Sequence, residues 1–268
     1  MKAVILAAGL GTRLQPYTFL IPKPMLPLGN KPTLEHIIDW LKESKKIDQI
    51  IICVSYLHRL IENYFEEGRR FGIKIEYSKT TEPMGTGGQL KAAEKLLDNN
   101  DRFLCLYSDH IYDFGLDKMI LEHTKSNALI TVALLQYKTT LEYGFIDTDV
   151  EEKKKTNSIT TTTEIVDDAG LATKNNHDCC NIVRWREKPE IKGLINIGCY
   201  VMEHKFLELI PKSITFRMDD AVRKMLLSNE KKGFAKGFVI QSSNFVDLGD
   251  KQSYLKTYRE YVKKLGRI

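Results

Sequence analysis

A chain of 268 residues with 43% hydrophobic residues is long enough to bury one large α/β core or two small ones. Its 40 basic and 35 acidic residues leave a formal charge of +5 that is scattered, with no run of Lys or Arg interleaved with aromatics, so a nucleic-acid partner is not expected. The first apolar run breaks at Gly9, too early for a signal peptide or a membrane span, and the odd set of five cysteines, with Cys53, Cys105 and Cys199 inside apolar runs, fits a reducing, cytoplasmic setting.

In chain order, the stretch 2–8 is an unbroken apolar run once past Lys2, the pattern of a strand buried on both faces, and the run stops at glycines. Thr33 reads as the N-cap of a helix to residue 45, because Leu34, Ile37, Ile38 and Leu41 recur at helical spacing. Residues 49–54 return to the buried-strand pattern, 57–71 read as an amphipathic helix, 73–77 as a strand, 87–97 as a helix and 102–107 as a strand. A helix over 116–126 and a strand over 129–137 follow. Residues 149–180 lose periodicity and fill with Thr, Lys, Asn and Asp, which marks a polar surface insertion. Within it, Cys179 and Cys180 lack a second pair at metal-finger spacing and read as plain loop. Strands over 182–185 and 195–202, a helix over 219–227 and a terminal helix over 250–268 complete the chain.

Strands alternating with helices at these intervals predict right-handed βαβ units. The expected fold is α/β, a Rossmann-like three-layer sandwich with a mostly parallel central sheet, forming a single domain over residues 1–268. In such sheets ligands bind at the carboxyl ends of the strands.

Two segments carry phosphate chemistry. Ala7-Ala8-Gly9-Leu10-Gly11-Thr12-Arg13-Leu14 follows the first strand, and its glycines let backbone N–H groups close on an anion while Arg13 adds a planar donor fork. It is neither a Walker loop nor a dinucleotide fingerprint, since no Gly-Lys-Ser/Thr and no third glycine follow. Two glycines after a strand are also compatible with a tight turn alone. Downstream, Pro22 and Pro24 flank Lys23, fixing an extended backbone and holding one lysine in a defined place; a rigid loop with an incidental lysine is the alternative.

Together Gly9 to Pro16 and Pro22 to Pro32 resemble the opening of the nucleoside-diphosphate-sugar pyrophosphorylases, the sugar-1-phosphate nucleotidyltransferases. The likeness continues through Glu82-Pro83-Met84-Gly85-Thr86-Gly87-Gly88, Ser108-Asp109, Tyr143-Gly144, Glu187-Lys188-Pro189, Asn196-Ile197-Gly198 and Val246-Asp247-Leu248-Gly249, and so spans nearly the whole chain. The resemblance implies that Arg13 and Lys23 hold the triphosphate, and that Leu6, Ala7, Ala8, Gly9, Gly11 and Thr12 line the nucleotide with Gly85. It further implies that Asp109 and Asp247 bind Mg2+, which favours hard carboxylate oxygens beside a phosphate. Glu187, Gly144, Asn196 and Gly198 would meet the sugar and Lys188 its phosphate, while Glu82 would accept from guanine, as in the mannose-1-phosphate guanylyltransferase-like branch.

The implied reaction joins a nucleoside triphosphate to a sugar 1-phosphate and releases pyrophosphate, with GTP and mannose 1-phosphate or a related sugar as first choice. Thymidylyl, uridylyl or cytidylyl transfer to glucose 1-phosphate, cytidylyl transfer to an alcohol phosphate or phosphonate, and a regulatory nucleotide-sugar-binding subunit are the alternatives. Some relatives append a left-handed β-helix that this chain lacks after its terminal helix, so neither acyltransferase activity nor trimerisation by that route is expected; a homo-oligomer, dimer or tetramer, is expected by analogy only. None of the six histidines is assigned a catalytic role, and Trp40 and Trp185 read as core or pocket wall.

Overall fold

The computed structural model describes residues 1–97, 102–148, 181–227, 234–241 and 245–264. The expected insertion over 149–180 and the end of the terminal helix beyond residue 264 lie outside the described residues. The chain forms two compact units, Met1–Gln136 with Leu194–Ile268, and Tyr137–Gly193.

A seven-stranded sheet runs in the order Ala235–Ile240, Ile130–Thr140, Glu190–Met202, Phe103–Tyr107, Lys2–Leu6, Gln49–Val54 and Lys74–Lys79. Lys2–Leu6 pairs in parallel with both Gln49–Val54 and Phe103–Tyr107, and Cys199–Met202 runs antiparallel beside Phe103–Leu106. From the central Lys2–Leu6 strand the chain builds outward through Gln49–Val54 to Lys74–Lys79. It then returns to lay Phe103–Tyr107 on the other side. The strand order therefore reverses at Lys2–Leu6, and a reversal of this kind opens a crevice at the carboxyl ends of the two strands.

Both faces of the sheet are covered, which is why the central strands read as unbroken apolar runs. Ala3 and Ile5 pack on one side with Leu34, Ile37, Ile38 and Leu41 of helix Thr33–Glu43, Phe65 of helix His58–Phe65 and Met119 of helix Leu116–Lys125. Val4 and Leu6 pack on the other with Leu90 of helix Gly85–Ala93 and Met218 and Met225 of helix Met218–Leu227. Each such buried Val, Leu, Ile, Phe or Met side chain contributes about 1.5–3 kcal/mol. A third, smaller cluster gathers Leu14, Leu26, Leu28, Leu248 and Tyr254, so helix Lys251–Lys264 clamps the loops after the first strand. Tyr254 Oη donates to the Pro27 carbonyl at 2.6 Å.

Several local expectations are corrected. Thr33 is the first helical residue and not the N-cap; its hydroxyl donates to the Leu26 carbonyl at 2.9 Å, tying the helix to the preceding loop. The helix expected over 57–71 stops at Phe65, because Glu66 and Gly68 both take positive φ, and a 3-10 turn Arg69–Phe71 follows. Gly68 is held there by close approach: a Cβ would lie 2.0 Å from the Ile73 carbonyl oxygen. The segment around Lys23 is not extended but a 3-10 turn, Lys23–Met25, since the fixed φ of Pro24 suits a helical turn as well as an extended chain. Strand Ala235–Ile240 was not foreseen; it pairs in parallel with Ile130–Leu135 at the sheet edge, where its mixed burial hides the periodicity. The expected Cys53, Cys105 and Cys199 are buried free thiols. No helix among the described residues is long and apolar enough to cross a membrane.

The second unit contains an antiparallel ribbon of Phe145–Thr148 and Ile182–Arg186. Trp185, expected in the core or a pocket wall, is 65% exposed on it. It is therefore not a core residue, and its indole lies beside Gly144, with Nε1 3.4 Å from a Cβ built there.

Candidate active site

A cavity of about 420 Å³ lies at the reversal point, bordered by the ends of the first and fourth strands, Leu6 and Tyr107. Gly9, Gly11, Thr12 and Arg13 of the glycine loop border it, with Lys23, Asp109 and Asp247. The three loops that carry these charges meet only in the fold. Lys23 Nζ donates to Asp109 Oδ2, with both side chains mostly buried. Asp247 enters through a two-residue ladder in which Val246 pairs with Ile111 and Asp247 with His110. Leu248 N closes that ladder on the Asp109 carbonyl at 2.8 Å.

The glycine loop is open where an anion needs it. Nothing lies within 4 Å of a Cβ built on Gly9, whereas Gly11 sits at φ +65° with a Cβ position 2.9 Å from Thr18 Cγ2, so only glycine fits that turn. Thr18 Oγ1 and Leu14 N both donate to the Gly11 carbonyl, which fixes the loop. Arg13 is exposed at the cavity border. Ala7 and Ala8 are buried, and their N–H groups are already used: Ala7 N donates to the Cys53 carbonyl at 3.0 Å and Ala8 N to Gln89 Oε1 at 3.1 Å. Any ligand contact through their main chain therefore falls to the carbonyls.

Sequence reasoning missed several residues here. Gln89, only 6% exposed on helix Gly85–Ala93, both braces Ala8 and borders the cavity. Thr86 borders it too while its Oγ1 accepts from Met218 N at 2.9 Å. His110, assigned no catalytic role from sequence, is 9% exposed and borders the cavity between the two aspartates. Its Nε2 lies 3.6 Å from both Asp109 Oδ1 and Asp247 Oδ1. Its position next to Asp109 was the one signal available.

Asp109, His110 and Asp247 each offer a ligand atom, all within 4.8 Å of one another. Asp109 Oδ2 is taken by Lys23, which leaves Oδ1 facing His110. The His110 ring, helped by the Gly249 N–H at 2.6 Å, holds the Asp247 carboxyl below the usual carboxylate range, against an opposing effect of partial burial. Two carboxylates and one imidazole are a donor set suited to a divalent cation.

Of the other expected residues in the first unit, Glu82, Gly85, Asn196 and Gly198 do not border the cavity. Glu82 is exposed, and Gly85, at φ +67°, would place a Cβ 2.5 Å from the Phe216 carbonyl oxygen, so its glycine is required by the protein's own backbone. Asn196 turns inward: Nδ2 donates to Tyr200 Oη at 2.6 Å and Oδ1 accepts from Gly198 N at 2.9 Å. Gly198, at φ +67°, presses on the Tyr107 ring, where a Cβ would come within 2.5 Å of Cδ2. In the second unit, Gly144 and Glu187 are neighbours, with Glu187 Oε2 3.3 Å from a Cβ built on Gly144. Lys188 adopts φ +41° just before Pro189, a left-handed conformation that costs on the order of 1 kcal/mol for a residue with a side chain.

A sequence profile described as nucleotidyl transferase matches residues 2–264. A D-glycero-alpha-D-manno-heptose 1-phosphate guanylyltransferase of Aneurinibacillus thermoaerophilus is 32% identical over 97% of this chain and 98% of its own. The mannose-1-phosphate guanylyltransferase catalytic subunit beta of Xenopus tropicalis is 29% identical over 99% of this chain and 66% of its own. Among solved structures, HddC from Yersinia pseudotuberculosis complexed with GMP-PN superposes with a TM-score of 0.64 at 24% identity, covering 97% of this chain and 99% of that one, and so shares the fold.

Proposed function

Because the chain belongs to the nucleotidyl transferase family, we propose that it joins a nucleoside triphosphate to a sugar 1-phosphate, with GTP and a mannose or manno-heptose 1-phosphate as the pair. The observation that carries this reading is the convergence of Arg13, Lys23, Asp109 and Asp247 on one cavity at the sheet's reversal point. The guanylyltransferase activities of two relatives support the choice of GTP and of these sugars.

In the proposed reaction an oxygen of the sugar phosphate attacks the α-phosphorus of the nucleotide. A bond forms between them as the bond from that phosphorus to the bridging oxygen of the β-phosphate breaks, and pyrophosphate leaves. Such chemistry needs positioning and charge neutralisation more than a protein nucleophile. The open main chain at Gly9 and the Arg13 fork bind the departing phosphates, and Lys23, anchored by Asp109, presents its charge beside the α-phosphate. Asp109 and Asp247 hold Mg2+, which neutralises charge on the phosphate oxygens when bound. Glu82 accepts from the N–H donors of guanine, and Gly144, Glu187 and Lys188 receive the sugar 1-phosphate.

The test is pyrophosphate release from the purified chain with Mg2+, crossing each common nucleoside triphosphate with mannose, glucose and heptose 1-phosphates. Release confined to GTP supports the assignment, and a preference for TTP, UTP or CTP overturns the role of Glu82. No release with any pair, despite nucleotide binding, overturns the reaction.

A further inference from the structure

We propose that His110 is itself a ligand of the divalent cation, so that Asp109, His110 and Asp247 form a two-carboxylate, one-imidazole centre. The inference deepens the metal role proposed above for the two aspartates.

The ring is fixed in orientation. Its Nδ1 lies 2.9 Å from the Ile197 carbonyl oxygen, which can only accept, so Nδ1 carries a proton and Nε2 is the nitrogen left to meet a cation. Imidazoles that ligate metals characteristically donate their other N–H to a carbonyl or carboxylate in this way. The ring cannot swing aside, because it is 9% exposed and packs edge-on against Phe245 at 5.0 Å, while Gly198 leaves it just enough room.

Nε2 points at both aspartates. At 3.6 Å from Asp109 Oδ1 and from Asp247 Oδ1 it is beyond hydrogen-bonding distance of either carboxylate. That separation instead resembles the spacing of two atoms bound to one ion: metal bonds of about 2.0–2.2 Å set neighbouring ligand atoms roughly 3–3.5 Å apart. The two carboxylate oxygens and Nε2 therefore converge across gaps that a shared cation would bridge. The imidazole also predicts selectivity, since nitrogen ligands favour first-row transition ions over the hard, oxygen-seeking Mg2+.

The experiment uses the full chain with Mn2+ alone, so it does not depend on turnover. Pulsed electron paramagnetic resonance of the bound ion is expected to show nitrogen-14 modulation that disappears in His110→Gln. The same variant is expected to lose about tenfold in Mn2+ affinity and much less in Mg2+ affinity, measured by competition. Bound Mn2+ without nitrogen modulation, modulation that persists in His110→Gln, or no Mn2+ binding at millimolar concentration would each overturn the proposal. A chain that binds Mn2+ through nitrogen yet releases no pyrophosphate would keep this inference and lose the reaction.

Discussion

Asp247 lies directly opposite His110 in a two-residue antiparallel ladder, and this pairing brings a carboxylate from near the end of the chain to the strand end that carries Asp109. Two backbone-fixed carboxylates bordering one cavity make a specific demand on charge. Asp109→Asn and Asp247→Asn, which keep shape and lose charge, are each expected to lower kcat by about 100-fold or more while circular dichroism stays unchanged. Wild-type rates in either variant would remove the metal assignment.

Lys23 and Arg13 should separate kinetically. Lys23 is held by Asp109 and mostly buried, so Lys23→Met leaves a carboxylate without its partner and is expected to lower kcat. Arg13 is exposed at the cavity border, and Arg13→Gln is expected chiefly to raise KM for the nucleotide. Steady-state kinetics with each substrate varied in turn check the split.

Gln89 accepts the Ala8 N–H inside the protein. Gln89→Leu strands that buried donor at a cost of about 1–3 kcal/mol, and should weaken nucleotide binding as the loop loosens. Denaturant melts and nucleotide titrations together test this; a stability loss without weaker binding would confine Gln89 to the core.

Gly198→Ala is expected to destabilise by about 1–3 kcal/mol, because a side chain there would have both a strained φ and a clash with the Tyr107 ring. Displacement of that ring also presses on His110, so metal affinity should fall with the melting temperature.

His123 is fully buried, 2.7 Å from Thr131 Oγ1 and 3.2 Å from Glu203 Oε1. Burial lowers its pKa below the ordinary 6.5, although Glu203 opposes the shift. A histidine with a lowered folded pKa binds protons more readily when unfolded. Its contribution to stability is therefore complete above about pH 6.5 and is lost as pH falls below that value toward the folded pKa. The difference in melting temperature between pH 7.5 and pH 5.5 should shrink in His123→Gln.

The sequence alone determined whatever a local pattern can carry. Unbroken apolar runs such as Gln49–Val54 mark strands covered on both faces, and helical spacing of Leu34, Ile37, Ile38 and Leu41 marks a helix with one buried side. The loop from Gly9 to Arg13 was legible because a turn at positive φ that leaves its main chain open demands glycine. Only the tertiary structure decided which groups meet. That Lys23 pairs with Asp109, that His110 stands between two aspartates, and that Asn196 turns inward to brace Gly198 depend on strand order and long-range packing. The edge strand Ala235–Ile240 was hidden for the same reason, since half-exposed residues carry little periodicity and its partner strand alone defines it. Periodicity reports which side of an element is buried; it holds no information about what arrives to cover it.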